Sequence, residues 1–307
     1  MKIAVITPLF SRSAELMNEL AFHFQDVKHN ADNTLKTKED MIAFLHDVDG
    51  AIVGREEIDD EILSACPRLK ILSRYGVGLD NLDLDAMQKR GVKLGWSGGT
   101  NSNSVAEVTL SLMLSLIRNL HIATTLLKQH TWKVNGGSEL TGKTIGLFGF
   151  GNIAKRLVEL LSPFHCKILV CNRTQNADEA QKYDITFASK ERILEEADII
   201  SIHLPLTPQS QNLFSTDEFK AMKKSAFIIN TARGGIIDEA ALKVALKTGE
   251  IAGAGLEAFT VEPVQDWELI DLPNLVCTPH LGGNSKESIL AMGYSCIEHL
   301  KTFFDQK

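Results

Sequence analysis

The stretch TIGLFGFGNIAKRL, residues 144–157, limits this chain more than any other. An apolar run of strand length, Thr144 to Phe148, is followed at once by Gly149-x-Gly151-x-x-Ala154, which opens a helical pattern. A strand that turns directly into a helix belongs to a parallel sheet covered by helices. In such a turn the first glycine allows the tight bend. The second lets the backbone come close to an anion at the helix N-terminus, where unpaired N–H groups and the dipole favour negative charge; the small third residue lets helix pack on strand. Alone, the string also fits an ordinary strand-to-helix turn. The next apolar run, KILVCN, completes a βαβ unit, and its tip, Asn172, stands about twenty residues beyond Gly149, the spacing of a dinucleotide-binding unit. Gly149, Gly151, Asn152 and Ile153 are therefore read as the pyrophosphate turn.

The strand tip bears on the choice of dinucleotide. A carboxylate there accepts hydrogen bonds from a ribose 2′-hydroxyl and repels a 2′-phosphate. This chain has Asn172, Arg173 and Thr174 instead, an amide, a cation and a hydroxyl. They remove the repulsion and offer donors to a phosphate. NADP is favoured, with NAD possible if Arg173 is only a solvated charge.

Apolar runs alternate with amphipathic stretches along the whole chain, so an α/β protein is expected. A first series of strands is read at 2–7, 50–54, 70–73 and 92–95. A second comprises KTIGLFGF, KILVCN, DIISIHL, AFIINT, AGAGLE and NLVCTPH. Two long helical patterns sit at the seams. The one at 102–120 is apolar nearly all round, so burial between two bodies is expected. The one at 286–304 carries Ile289, Gly293, Cys296, Ile297, Leu300 and Phe304 on one face. The expected architecture is two Rossmann-like doubly wound parallel sheets. The dinucleotide domain, 101–284, is inserted into a discontinuous flavodoxin-like substrate domain, 1–100 plus 285–307.

A net charge of −7 argues against a nucleic-acid partner. The five scattered cysteines lack C-x-x-C spacing and read as reduced thiols, so a cytoplasmic protein without structural metal is expected. The opening MKIAVITPLF reads as a first strand rather than a leader, and VTLSLMLSLI is too short to span a bilayer, so no membrane partner is expected.

Three downstream stretches each place a polar side chain just past a strand, where open α/β sheets bind ligands: INTARGG with Arg233, GLEAFTVEP with Glu262 and VCTPHLGG with His280. Singly, each has an ordinary explanation as a surface charge or a structural histidine. In this order they resemble the D-2-hydroxyacid dehydrogenase family, the phosphoglycerate dehydrogenase-like or glyoxylate/hydroxypyruvate reductase-like oxidoreductases. The resemblance extends to SRYGVGLDNLDLDAMQKRGV, GTNSNSVAEVTLSLML and HLPLTPQSQNL, and so covers nearly the whole chain.

The resemblance implies a hydride transfer between a nicotinamide and a small 2-keto or 2-hydroxy acid. Arg233 would bind the substrate carboxylate and polarise the keto oxygen, His280 would donate or accept the proton, and Glu262 would pair with His280 and favour the imidazolium. Val77 and Gly78 would cradle the carboxylate through backbone N–H groups, with Asn101 beside them. His203, Leu204, Pro205, Thr207, Thr231, Ala232, Glu257 and Gly282 would line the dinucleotide. Two departures stand out: Glu257 where the family usually has the aspartate that holds the nicotinamide carboxamide, and Asn172 where NAD-dependent members carry aspartate. The resemblance also implies a homodimer through the 102–120 region. The chain stops after its last helical pattern, so no C-terminal regulatory domain is expected. A second reading, a dinucleotide-sensing or co-repressor-like protein on the same fold, keeps the binding residues without turnover. Arg55 and Arg74 could meet a substrate phosphate or simply be solvated.

Overall fold

The computed structural model describes residues 1–305. The chain divides into two compact units: residues up to Asn101 together with those from Gly283 onward, and Ser102–Gly282.

The first unit is built on five parallel strands, β1 (Lys2–Val5), β2 (Asp26–His29), β3 (Gly50–Val53), β4 (Ile71–Arg74) and β5 (Lys93–Gly95). Their order, β2-β1-β3-β4-β5, is that of a flavodoxin-like sheet, reversing between β1 and β3. Alternate side chains feed two cores. Ile3 and Val5 join Phe10, Leu16 and Leu20 on one face, while Ala4 joins Leu45, Val53 and Ile62 on the other. The helix Lys286–Asp305 closes the first of these cores with Met292, Cys296, Ile297, Leu300 and Phe304. Burying strands on both faces makes them read as continuous apolar runs, which is why β1, β3 and β4 were visible; the edge strand β5, only partly buried, was read as well. The edge strand β2, DVKH, has no fully buried residue and no such run.

The loop after β4 contains Val77 and Gly78. Arg74, expected at the surface or at a phosphate, is buried, and its guanidinium donates to the carbonyl oxygens of Gly78 (2.6 Å), Tyr75 (3.0 Å) and Gly54. It shapes the turn, satisfying carbonyls that the sheet leaves behind. Trp96 Nε1 donates to Val77 O of the same turn at 3.0 Å.

The second unit holds seven parallel strands: β6 (Thr144–Phe148), β7 (Lys167–Cys171), β8 (Ile185–Phe187), β9 (Ile199–Ile202), β10 (Phe227–Asn230), β11 (Gly253–Leu256) and β12 (Leu275–Cys277). The order β12-β11-β10-β9-β6-β7-β8 is the Rossmann order with one strand added, and it reverses between β6 and β9. Apolar cores cover both faces, one around Ile200, Ile228 and Leu256, the other around Ile145, Ile168 and Ile229. The three-residue edge strand β8 went unread, again because its pattern is short and half exposed.

The helix expected over 102–120 ends at Ile117. Its buried face, Ala106, Leu112, Met113 and Leu116, packs on the helix Asn152–Leu161 and on β10 and β11. Asn119, at φ 52°, then starts a separate helix, Leu120–Lys128, bent 67° from the first and without a single buried residue. Among the described residues no single helix is long and apolar enough to cross a membrane.

Candidate active site

Every residue singled out in the second unit lies just beyond the C-terminal end of a strand, which is where the strand order leaves a crevice. At the reversal itself, Gly149 follows β6 and His203 follows β9, and His203 N donates to Phe148 O at 2.8 Å. Gly149 sits at φ 92°, and a Cβ there would lie 2.5 Å from His203 O, so only glycine fits. Gly151 is different. It is the N-cap of the helix Asn152–Leu161 at an ordinary φ of −88°, and a Cβ built on it meets nothing within 4 Å. Neither backbone nor packing requires a glycine there; its smallness keeps space open over the helix N-terminus. Asn152 and Ile153 form that first turn, and Ala154 is fully buried against the sheet.

At the tip of β7, Asn172 Nδ2 donates to Thr174 O at 2.6 Å, folding the turn back, while the side chains of Arg173 and Thr174 are exposed. Beyond β9, Ser210 knits the segment together, donating to Pro205 O (2.7 Å) and accepting from Thr207 N (2.8 Å). His203 Nε2 faces Ser201 Oγ at 3.0 Å, and burial pushes the imidazole down to about 4, so the ring is neutral. Leu204 is partly buried against the same core.

The strands β10, β11 and β12 are neighbours, and their ends carry the chemistry. After β10, buried Asn230 accepts from Ala232 N (3.0 Å) and donates to Arg233 O (2.7 Å), which fixes the turn presenting Arg233. Thr231 is buried, its hydroxyl 2.9 Å from that of Thr109. The next residue, Gly234, touches the backbone of Phe259 and Thr260, where any Cβ would collide. The Arg233 turn and the segment leading to Glu262 are thus pressed together. Glu262 Oε1 accepts from Phe259 N at 3.1 Å, and both its oxygens face His280 Nδ1, at 2.8 and 2.9 Å.

His280 follows β12 at φ 51°, left-handed backbone that a non-glycine residue adopts only when its surroundings hold it. About a quarter of its side chain is accessible, and about a third of that of Glu262, so the pair is open to a reactant. Glu257, after β11, is almost wholly buried. It accepts from Thr278 Oγ1 (3.0 Å), Leu281 N (2.7 Å) and Gly282 N (2.8 Å). Gly282 is itself buried, and its carbonyl accepts from Ser104 Oγ. In the first unit, Val77 and Gly78 lie on the turn shaped by Arg74, and Asn101 Oδ1 is buried with no hydrogen-bond partner.

Reading the sequence missed Asn230, Thr278, Ser210 and the Phe259 amide. Asn230 alone had a signal, an amide side chain ending an otherwise apolar strand. Among the described residues no cluster of three or more His, Cys, Asp or Glu could hold a metal. Together the strand ends provide a cation, a carboxylate-held imidazole and a glycine turn over a helix N-terminus: parts for proton transfer beside a bound anion.

Residues 110–282 match the family model for the NAD binding domain of D-isomer specific 2-hydroxyacid dehydrogenases. The D-3-phosphoglycerate dehydrogenase of Mycobacterium bovis is 36% identical over 267 residues, 86% of this chain and 51% of its own length. The chain thus spans about half the length of such relatives. The hydroxypyruvate reductase of Thermotoga maritima is 34% identical over 269 residues, covering 86% of this chain and 87% of the relative. Among solved structures, an acyclic imino acid reductase (Bsp5) in complex with NADPH and D-Arg superposes with a TM-score of 0.90 at 27% identity, over 100% of this chain and 98% of that one.

Proposed function

The chain belongs to the D-isomer specific 2-hydroxyacid dehydrogenase family, and on that premise we propose that it is an NAD(P)-dependent oxidoreductase reducing a small 2-keto acid to its D-2-hydroxy acid, or running the reverse reaction. The observation that carries this reading is the His280–Glu262 pair, an accessible imidazole whose Nδ1 is held by both oxygens of one carboxylate at 2.8 and 2.9 Å.

The residues present fit a dinucleotide. The test is Gly151, where a Cβ would enter open space above the helix N-terminus although nothing in the protein forbids it. Gly149, Gly151, Asn152 and Ile153 would hold the pyrophosphate, and His203, Leu204, Pro205, Thr207, Thr231, Ala232, Glu257 and Gly282 would line the remainder. Arg173 and Thr174, both exposed at the β7 tip, would take a 2′-phosphate, so NADP is the favoured cofactor. Bound there, the nicotinamide supplies or accepts the hydride.

The chain supplies the rest. Glu262 orients His280 through Nδ1, so that Nε2 delivers a proton to the keto oxygen or removes one from the hydroxyl. Arg233 is a planar cation suited to the substrate carboxylate and to charge growing on the carbonyl oxygen. Val77, Gly78 and Asn101 carry over from the family resemblance alone, as further groups that would bind that carboxylate. The neutral state of His203 leaves the charge near the site to these residues.

We also place a homodimer contact on the helix Leu120–Lys128 and the segment after it. There Leu120 and Leu127 are exposed, and Trp132 and Val134 are 84% and 87% accessible, an apolar surface that a two-fold partner would cover. The decisive experiment is a panel of 2-keto acids, glyoxylate and hydroxypyruvate among them, assayed with NADH and with NADPH. Turnover of at least one is expected, with a D-configured product wherever the product is chiral; none with either cofactor would overturn the reading.

A further inference from the structure

We infer that Glu257 is a positioning residue that sets the turn carrying His280, holding by its backbone the same histidine that Glu262 holds by its ring. The inference rests on the catalytic reading of His280 given above. His280 is left-handed, a conformation that costs a non-glycine residue energy and needs support on both sides. On its N-terminal side, Thr278 is tied to β11 by Thr278 N to Leu256 O at 3.1 Å. On its C-terminal side, Leu281 and Gly282 have no strand partner, and their amides instead donate to Glu257 at 2.7 and 2.8 Å. Thr278 Oγ1 donates to the same carboxylate at 3.0 Å, so Glu257 spans His280, gripping the turn before and after it.

Burial strengthens the grip. Glu257 is 1% exposed, so water does not compete for its oxygens. Length matters as well. Aspartate would draw the carboxylate back by about 1.5 Å, stretching bonds of 2.7 and 2.8 Å beyond hydrogen-bonding range. Glutamine keeps the length but turns an NH2 toward one of the amide donors. Of about four acceptor positions on a carboxylate, three are already used by this turn.

The test combines amide hydrogen exchange in the intact apoprotein with kinetics, for Glu257→Gln and Glu257→Asp beside the parent. Exchange at Leu281 and Gly282 should accelerate by at least about ten-fold, the weight of one lost charge-assisted bond. In Glu257→Gln, kcat at saturating NADPH should fall by about ten-fold or more, beyond any change in the Kd for NADPH read from its fluorescence, because the displaced group is the acid. Unchanged exchange at both amides would overturn the inference, as would faster exchange with kcat intact. Unchanged exchange with a weakened Kd would leave Glu257 with its dinucleotide contact alone and overturn the inference. If the parent reduces no keto acid, the catalytic reading fails separately, and the exchange data still judge the hold on the turn.

Discussion

Two glycines in one turn should fail in opposite ways when replaced by alanine. At Gly149 an L-residue would sit at φ 92°, which costs about 1–2 kcal/mol. Its Cβ would also lie 2.5 Å from His203 O, against a normal separation of about 3.5 Å, so the ends of β6 and β9 would have to part. Overpacking of that kind adds about 1–3 kcal/mol, for a total of about 2–5 kcal/mol. At about 2–4 °C per kcal/mol for a unit of this size, the unfolding midpoint of Gly149→Ala should drop by roughly 4–20 °C. Gly151→Ala meets no atom within 4 Å at a φ of −88°, so stability should hold or rise slightly. Yet the new methyl occupies the space above the helix N-terminus, and the Kd for NADPH should rise at least about ten-fold, the loss of one charge-assisted bond. Differential scanning calorimetry and NADPH fluorescence titration measure the two quantities. Gly151→Ala binding NADPH as tightly as the parent would show that the turn is structural and cradles nothing.

Three other perturbations follow from the same geometry. His203 is pushed down to about 4 from an ordinary 6.5; between these values the unfolded chain takes up a proton that the folded one refuses, so stability falls as pH drops. Urea unfolding should show a loss of about 2 kcal/mol between pH 7 and 5 that is absent in His203→Gln; identical slopes in parent and variant would assign the acid sensitivity elsewhere. Arg173→Ala should weaken NADPH by about ten-fold and leave NADH alone, and Asn172→Asp should reverse the preference; steady-state kcat/KM with both cofactors decides, and equal effects on both would remove the 2′-phosphate contact. Trp132→Ser with Val134→Ser should shift the chain toward monomer in sedimentation at micromolar concentration; a parent that is already monomeric there would rule out the dimer face.

What the sequence made legible follows from burial. Strands such as AFIINT and KILVCN are covered on both faces and announce themselves as apolar runs. The edge strands DVKH and ITF do not, because one side of each meets solvent and nothing repeats. The helix that begins at Ser102 read too long because Asn119 breaks it with a left-handed residue, without the glycine or proline that usually marks a stop. Arg233, Glu262 and His280 lie past strand ends, but singly each has an ordinary explanation, and they stood out only through the order of motifs that carries the family resemblance. The supporting contacts did not, even where the residue itself was singled out. Asn230 works through an amide that could equally face solvent, Arg74 binds carbonyl oxygens, and Glu257 binds amide protons. Backbone groups are the same at every position, so side chains that serve them leave no pattern to read.

The most direct measurement is single-turnover reduction of a 2-keto acid by His280→Ala loaded with NADPH, followed at 340 nm beside the parent. If the imidazole held by Glu262 at 2.8 and 2.9 Å moves the proton, the rate should fall by roughly a hundred- to ten-thousand-fold, with the Kd for NADPH unchanged. A rate within a few-fold of the parent would contradict this and leave His280 outside the chemistry.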